Sequence, residues 1–271
     1  MTLVIFFLFL IGICFGSFLN VVILRTTKSK QFLSGRSVCP KCKRQIAWYD
    51  NIPLLSYVLL GGKCRSCKKP ISIVYPVVEF LTGVFFVWWF LMGFGFFKLV
   101  GSPWAVVQPI FWLGVGLMFI VIFVSDLLFM IIPFGLNLFL LTWTLLYKLS
   151  LVASANMRMV DFLVSLLCGI CLAGFFFAVN KITLRLKGLE GFGLGDIYLA
   201  PTLGLLMGWP KTLVGVFIAF VLGSMVGLIM IGFGKLKKTD YLPFAPFLIL
   251  GTTLALVYGA KLWELYIGML V

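Results

Sequence analysis

Eight runs of apolar residues, most of them long enough to cross a lipid bilayer, constrain this chain more than any other feature. About 20 apolar residues in a helix span the hydrocarbon core, with every backbone N–H and C=O satisfied internally. The runs cover approximately Met1–Leu24, Ile73–Phe97, Trp104–Asp126, Pro133–Tyr147, Phe162–Val179, Asp196–Trp209, Leu213–Phe233 and Pro246–Tyr266. The sixth is short enough to be tilted or partly re-entrant. Of 271 residues 62% are hydrophobic and 11% charged, whereas a soluble domain carries about half and about a quarter. A single soluble core is excluded. The expected fold is an all-α polytopic membrane protein of about eight transmembrane helices. Residues 1–24 form the first helix, 25–72 a cytoplasmic insert dense in Lys, Arg, Cys, Pro and Gly, and 73–271 a seven-helix core. No internal repeat is apparent. The first run lacks a basic leading segment and a small-residue cleavage site, so it reads as a retained span.

Lys and Arg number 22 against 8 Asp and Glu. In a membrane protein such an excess is topogenic, because basic residues are retained on the cytoplasmic side; nucleic acid is not an expected partner. With the amino terminus outside, the inward segments carry 17 Lys or Arg and the outward ones 5, namely Lys98, Lys148, Arg158, Lys211 and Lys261. The reverse orientation inverts that balance. An even number of spans places the carboxyl terminus outside as well, in a multi-pass membrane protein. The chain contains no histidine, which removes Ser-His and Cys-His nucleophile systems and every His-ligated metal site.

Within the insert, Cys39-Pro-Lys-Cys42 and Cys64-Arg-Ser-Cys67 are two CxxC pairs separated by 21 residues. Two such turns supply four soft ligands in tetrahedral array, the pattern of a closed structural Zn²⁺ site. Four thiolates repel one another without a cation, so metal and fold are coupled. The competing reading is two disulfides, which a reducing cytoplasmic location disfavours. Cys14, Cys168 and Cys171 lie within apolar spans and read as small hydrophobes.

Among the acidic residues, Asp126 and Asp196 lack an ordinary setting. Asp126 closes one apolar run and precedes another, Leu127–Ile132, with no basic residue nearby. An ionisable group at membrane depth is expensive and marks a functional site by default. Asp196 ends Gly191-Phe-Gly-Leu-Gly-Asp and opens a span. Gly193 and Gly195 permit close approaches around it, and a helix start favours negative charge. Taken alone, Asp196 also reads as an N-cap and Asp126 as a hydrated helix end. Together they are more specific. The third span runs inward and the sixth outward, so both carboxylates reach the same cytoplasmic depth. Two carboxylates in one poorly hydrated site cannot both ionise cheaply. One then activates water while the other donates a hydrogen bond to the substrate carbonyl, the chemistry of aspartic proteolysis. Glu79 lies about one and a half turns into the second span. It reads either as a hydrated interfacial residue or as a group in the same cavity that receives a cationic part of a substrate or methyl donor.

These residues resemble the type IV prepilin peptidases, members of the GxGD membrane aspartyl proteases, over nearly the full length. The resemblance rests on Gly16-Ser-Phe-Leu-Asn20 before Arg25, both CxxC pairs, and Asn51-Ile-Pro-Leu-Leu-Ser56 between them. It continues through Tyr75-Pro76 and Glu79, Asp126 with Pro133 seven residues on, and Gly193-Leu-Gly-Asp196. The resemblance implies a bundle of about eight helices, Asp126 and Asp196 as the catalytic pair, and type IV prepilins or pseudopilins as substrates. It implies cleavage of their short leader after a glycine at the cytoplasmic side. It also implies N-methylation of the new amino terminus with S-adenosylmethionine. The chain departs from the family's usual pattern at Leu128 and Phe134, where members often carry acids, and at Tyr198, where they often carry lysine.

Two other classes compete. A transporter using intramembrane Asp as cation ligand or proton relay usually shows repeated halves with paired broken helices, and none is apparent. An inert membrane anchor bearing a zinc ribbon has no need of the glycine-flanked Asp196.

Overall fold

The computed structural model describes residues 1–26, 37–96, 103–188, 191–234 and 241–269. Regular structure among them is helical, apart from two isolated antiparallel bridges, Val38 with Gln45 and Lys63 with Pro70. Helix α1 spans Thr2–Thr26. A 3₁₀ turn at Trp48–Asn51 and a short α2 at Leu55–Leu59 follow in the insert. The remaining helices are α3 (Val74–Phe96), α4 (Trp104–Phe129), α5 (Phe134–Ala153), α6 (Met159–Lys187), α7 (Leu194–Met207), α8 (Lys211–Gly232) and α9 (Ala245–Gly268).

Among the described residues seven of these are long and apolar enough to cross a membrane; α7, with 14 residues, is not. At 1.5 Å per residue it reaches about 21 Å, short of the roughly 30 Å hydrocarbon core. All eight expected spans are therefore present as helices, with the sixth short as expected. Their ends differ. Helix α6 runs about two turns past its apolar stretch and stops at Gly188, whose φ of 66° is the left-handed conformation that ends helices. Helix α5 continues from the expected Tyr147 to Ala153. Lys148, expected in an outer connection, is thereby buried inside α5, because the apolar pattern resumes beyond it at Leu149, Leu151 and Val152. Its Nζ donates to Ser165 Oγ at 2.8 Å, and that hydroxyl donates to the Asp161 carbonyl at 2.8 Å. Cys14 and Cys171 are exposed on their helices rather than packed among neighbours. Residues 27–36, the connection bearing Lys98, Glu190, and the basic loop with Lys235, Lys237, Lys238 and Asp240 lie outside the described residues.

The chain divides into two units, Met1–Val121 and Ile122–Val271, with α4 contributing to both. In the first unit α1 packs along α3. In the second, α6 packs on α7 and α8 on α9, while α7 also touches α5, α8 and α9. Helix α7 is the most enclosed: Leu199, Ala200 and every residue from Thr202 to Met207 are buried. An apolar helix with neighbours on all sides belongs to the interior. Its approach to α6 is close because both surfaces are glycine there; a methyl group on Gly204 would stand 2.5 Å from Gly169 Cα. Small residues at such crossings let backbones touch where lipid gives no hydrophobic drive to association.

Candidate active site and candidate metal centre

The second unit brings Asp126 and Asp196 together. Asp126 lies in the last turn of α4, Asp196 in the first turn of α7, and they are close enough for the charge of one to act on the other. Both are buried, at 6% and 7% relative exposure. Asp126 Oδ2 accepts the backbone N–H of Ala245 at 3.2 Å. Ala245 begins α9, so the carboxylate satisfies one of the amide donors that a helix start leaves without an intrahelical partner. Asp196 Oδ1 is buried with no hydrogen-bond partner among the described residues. The N-cap of α7 is Gly193, three residues earlier, and no side chain caps the helix. Asp196 is therefore not the N-cap; it stands three residues inside the helix, and its carboxyl turns back to the Gly193 N–H at its own helix start while Oδ1 stays buried without a partner among the described residues. No Lys or Arg pairs with either acid among the described residues.

Three contacts that the sequence did not announce hold this arrangement. Asn180 Oδ1, near the end of α6, accepts the N–H of Gly191 at 2.9 Å and of Phe192 at 3.4 Å, anchoring the glycine-rich entry to α7. Asn137 of α5 donates from Nδ2 to the Tyr198 carbonyl at 2.7 Å and accepts at Oδ1 from Thr202 Oγ1 at 3.0 Å. These bonds fix α7 beside Pro201, where proline removes one intrahelical donor. The third contact is aromatic. Phe192, just before Gly193, and Phe244, just before Ala245, have ring centroids 5.2 Å apart, and Phe176 lies 4.7 Å from Phe192. One ring cluster therefore joins the backbone entry that bears Asp196 to the helix start that holds Asp126. Asn137 is buried and both of its amide ends are satisfied, as a buried amide requires.

The two glycines differ. Gly193 has an ordinary φ of −65°, and a Cβ there would stand 3.5 Å from Asp196 Oδ2 and 4.0 Å from the Gly195 nitrogen, both ordinary contacts. A Cβ on Gly195 would press on three side-chain atoms of Ile132 at 3.1 Å. Only Gly195 provides a close approach.

In the first unit, the sulfurs of Cys39, Cys42, Cys64 and Cys67 all lie within 4.8 Å of one another, with Cys39 and Cys67 at 4.0 Å. A tetrahedron with metal–sulfur bonds of about 2.3 Å has edges of roughly 3.8 Å, so the four residues fit a tetrahedral metal ion. Two disulfides within the CxxC pairs would not gather all four sulfurs into one cluster. The two turns also form a local structural repeat at an offset of 25 residues, a correction to the expectation of no internal repeat. Cys39 and Cys64 accept from the N–H groups of Lys43 and Lys68 and donate to the carbonyls of Arg44 and Lys69, each at 2.9 Å. Lys43 and Lys68 both adopt positive φ, 61° and 57°. Backbone N–H groups of Cys42 and then Lys41 hold the Cys39 thiol down at about 6 against the effect of burial. Against the Lys69 N–H, burial and the neighbouring thiols push Cys67 up to about 11. Without a cation the four sulfurs do not all ionise together. Asp50, the insert's acid, takes a bidentate bond from Arg65, which keeps its carboxyl below the usual range.

Glu79, also in the first unit, is buried. Its Oε2 accepts the Leu54 N–H at 2.8 Å, and Ser17 hydrogen-bonds to the same carboxyl. Leu54 has φ of 60°, a backbone state costly for a branched side chain, and the Glu79 bond helps hold it. Asn20 Nδ2 donates to the Tyr75 carbonyl at 3.0 Å nearby. Glu79 thus ties the Asn51–Ser56 segment to α3.

Comparison with known proteins follows the same division. Residues 10–92 match the Bacterial Peptidase A24 N-terminal domain, and residues 113–228 match the Type IV leader peptidase family. A protein of Klebsiella pneumoniae is 35% identical over 217 residues, covering 76% of this chain and 88% of that protein. One of Bacillus subtilis (strain 168) is 29% identical over 265 residues, 97% of each chain. One of Myxococcus xanthus (strain DK1622) is 35% identical over 227 residues; there the match covers 83% of this chain but 62% of the relative's length. All three are named prepilin leader peptidase/N-methyltransferase. No solved structure matches the chain. The apolar helices, the four-cysteine insert and these matches agree on a multi-pass inner-membrane protein, and the chain belongs to the type IV leader peptidase family.

Proposed function

We propose that this protein removes the leader peptide of type IV prepilins or pseudopilins by aspartic proteolysis at Asp126 and Asp196. The observation that carries the reading is a pair of buried carboxylates within electrostatic reach of each other, without a basic partner among the described residues. One carboxylate takes a proton from water as it attacks the scissile carbonyl, and the other, protonated, donates a hydrogen bond to the carbonyl oxygen. The relatives' shared name supports prepilin as substrate. The test is leader removal from a co-expressed prepilin by the wild type and by the two Asp→Asn variants.

The orientation is amino and carboxyl termini outside, insert and active site at the cytoplasmic face, supported by 17 inward Lys or Arg against 4 outward ones (Lys98, Arg158, Lys211 and Lys261), with Lys148 buried within α5. The functional division follows at 1–24, 25–72 and 73–271. The insert holds one structural Zn²⁺ at Cys39, Cys42, Cys64 and Cys67, a closed four-sulfur site with no open position for catalysis.

Gly195 supports the dyad by letting α7 seat against Ile132. Gly195→Ala displaces the turn that carries Asp196, and cleavage falls by about 10- to 100-fold, the usual effect of misplacing a catalytic group by an ångström or less. Gly193→Ala retains near-normal cleavage, because its Cβ meets only an ordinary contact. Initial rates for the two variants check this; equal losses contradict it.

The protein also methylates the freed amino terminus with S-adenosylmethionine, a reading supported by the relatives' names. Glu79 receives a cationic group there, the pilin amine or the donor's sulfonium. Glu79→Gln keeps an oxygen to accept the Leu54 N–H while removing the charge. Leader removal persists and methyl incorporation falls, read by the mass of the processed pilin. Normal methylation, or loss of cleavage as complete as in the aspartate variants, contradicts the assignment.

A further inference from the structure

The insert carries an apolar face that nothing within the described residues covers. Trp48, Val58 and Leu59 are 81%, 73% and 75% exposed, and Tyr49, Ile52 and Leu55 beside them are also exposed. All six sit on the 3₁₀ turn, α2 and the three residues between, a stretch folded on itself by Ser56 Oγ donating to the Tyr49 carbonyl at 2.9 Å. A soluble zinc module has no reason to present such a face to water.

Its height along α3 identifies what it meets. The Leu54 N–H is held by Glu79, five residues beyond the start of α3 at Val74. At 1.5 Å per residue, Leu54 therefore lies about 7.5 Å along α3 from that start. At that level α3 already exposes Val77, Phe80 and Leu81, within a stretch long and apolar enough to span a membrane. Leu54, and with it the start of α2 at Leu55, consequently lies at a height where α3 presents apolar side chains to its surroundings. Exposed bases flank it: Lys63 follows α2 by four residues, and Lys41, Lys43, Arg44, Lys68 and Lys69 lie on the two cysteine turns. Apolar and aromatic side chains beside clustered Lys and Arg suit the boundary between acyl chains and anionic headgroups.

We propose that Trp48–Leu59 is an interfacial anchor, with Trp48, Leu55, Val58 and Leu59 immersed at the acyl–headgroup boundary and the neighbouring lysines on lipid phosphates. Tethered at α1 and α3 and seated on the bilayer between them, the insert is held at a fixed depth. The inference rests on α1 and α3 as membrane spans and is independent of the catalytic assignment.

The experiment compares the tryptophan emission of full-length, zinc-loaded protein with that of Trp48→Phe, in bilayers of phosphatidylcholine and phosphatidylglycerol with acyl chains brominated near the headgroup. The difference signal belongs to Trp48. It is expected to be blue-shifted, to lose most of its intensity to the bromines, and to resist aqueous iodide. A second protein, Val58→Ser with Leu59→Ser, keeps its zinc but becomes less sensitive to bromine and more sensitive to iodide. A Trp48 signal quenched by iodide and untouched by bromine overturns the proposal. Bromine quenching abolished by added prepilin assigns the face to substrate instead. Protection from both quenchers that appears only as protein density rises assigns it to a second copy, and either result also overturns the lipid anchor.

Discussion

Asp126→Asn and Asp196→Asn will each reduce leader cleavage by about 10³- to 10⁴-fold while the protein remains inserted and folded. General acid–base catalysis contributes on that scale, equivalent to roughly 4 to 5.5 kcal/mol of transition-state stabilisation. Asparagine is nearly isosteric and its oxygen can still accept the Ala245 N–H, so the structural bond survives while the proton chemistry does not. Removing a charge from a buried site also lightens the desolvation burden, so neither variant should be less stable. The double variant should be no slower than either single one, because the two groups act as a unit and effects within such units do not add. Initial cleavage rates, with thermal unfolding of the detergent-purified proteins as control, check all three statements. Independent, multiplicative losses would show that the two carboxylates do not share one reaction.

The second large effect concerns the insert. Replacing any one of Cys39, Cys42, Cys64 and Cys67 by Ser is expected to lower the metal content of the proposed zinc site and open Val38–Ile71 to proteases. A structural zinc of this kind binds with about 10–16 kcal/mol, and a site missing one sulfur loses much of it. The two bridges, Val38 with Gln45 and Lys63 with Pro70, are isolated and give the turns little independent stability. Cleavage should fall less than metal content, because neither aspartate is in the cysteine-bearing unit. Elemental analysis finding one zinc per wild-type chain and less in each variant checks this. A metal-free wild type with two disulfides by mass contradicts it.

Much of this architecture was legible because membrane physics leaves few options. A long apolar run must become a helix, but hydropathy does not set its ends: α6 was expected to stop at Val179 and continues to Lys187, before the left-handed Gly188. The aspartates stood out because acids in apolar runs are rare, and the cysteines because their spacing has few uses. The supporting contacts were not legible, since they join residues distant in the chain. The Ala245 N–H reaches Asp126 across 119 positions, and Asn137 reaches Thr202 across 65. Neither asparagine has a local pattern that sets it apart from any polar residue at a span end. Lys148 was misplaced for the same reason: the sequence shows a charge near the end of an apolar run, and only packing shows Ser165 waiting for it. Glu79 was recognised as unusual, but its partner Leu54 belongs to a segment whose course depends on the folded insert.

The central claim is that this protein cleaves a prepilin leader with Asp126 and Asp196. The most direct test is the intact mass of a purified prepilin after incubation with purified enzyme in lipid bilayers, using wild type, Asp126→Asn and Asp196→Asn in parallel. The account predicts that the wild type alone shortens the substrate by its leader, at a single bond. Shortening by either aspartate variant at a rate near the wild type's, or no shortening by the wild type, would contradict it.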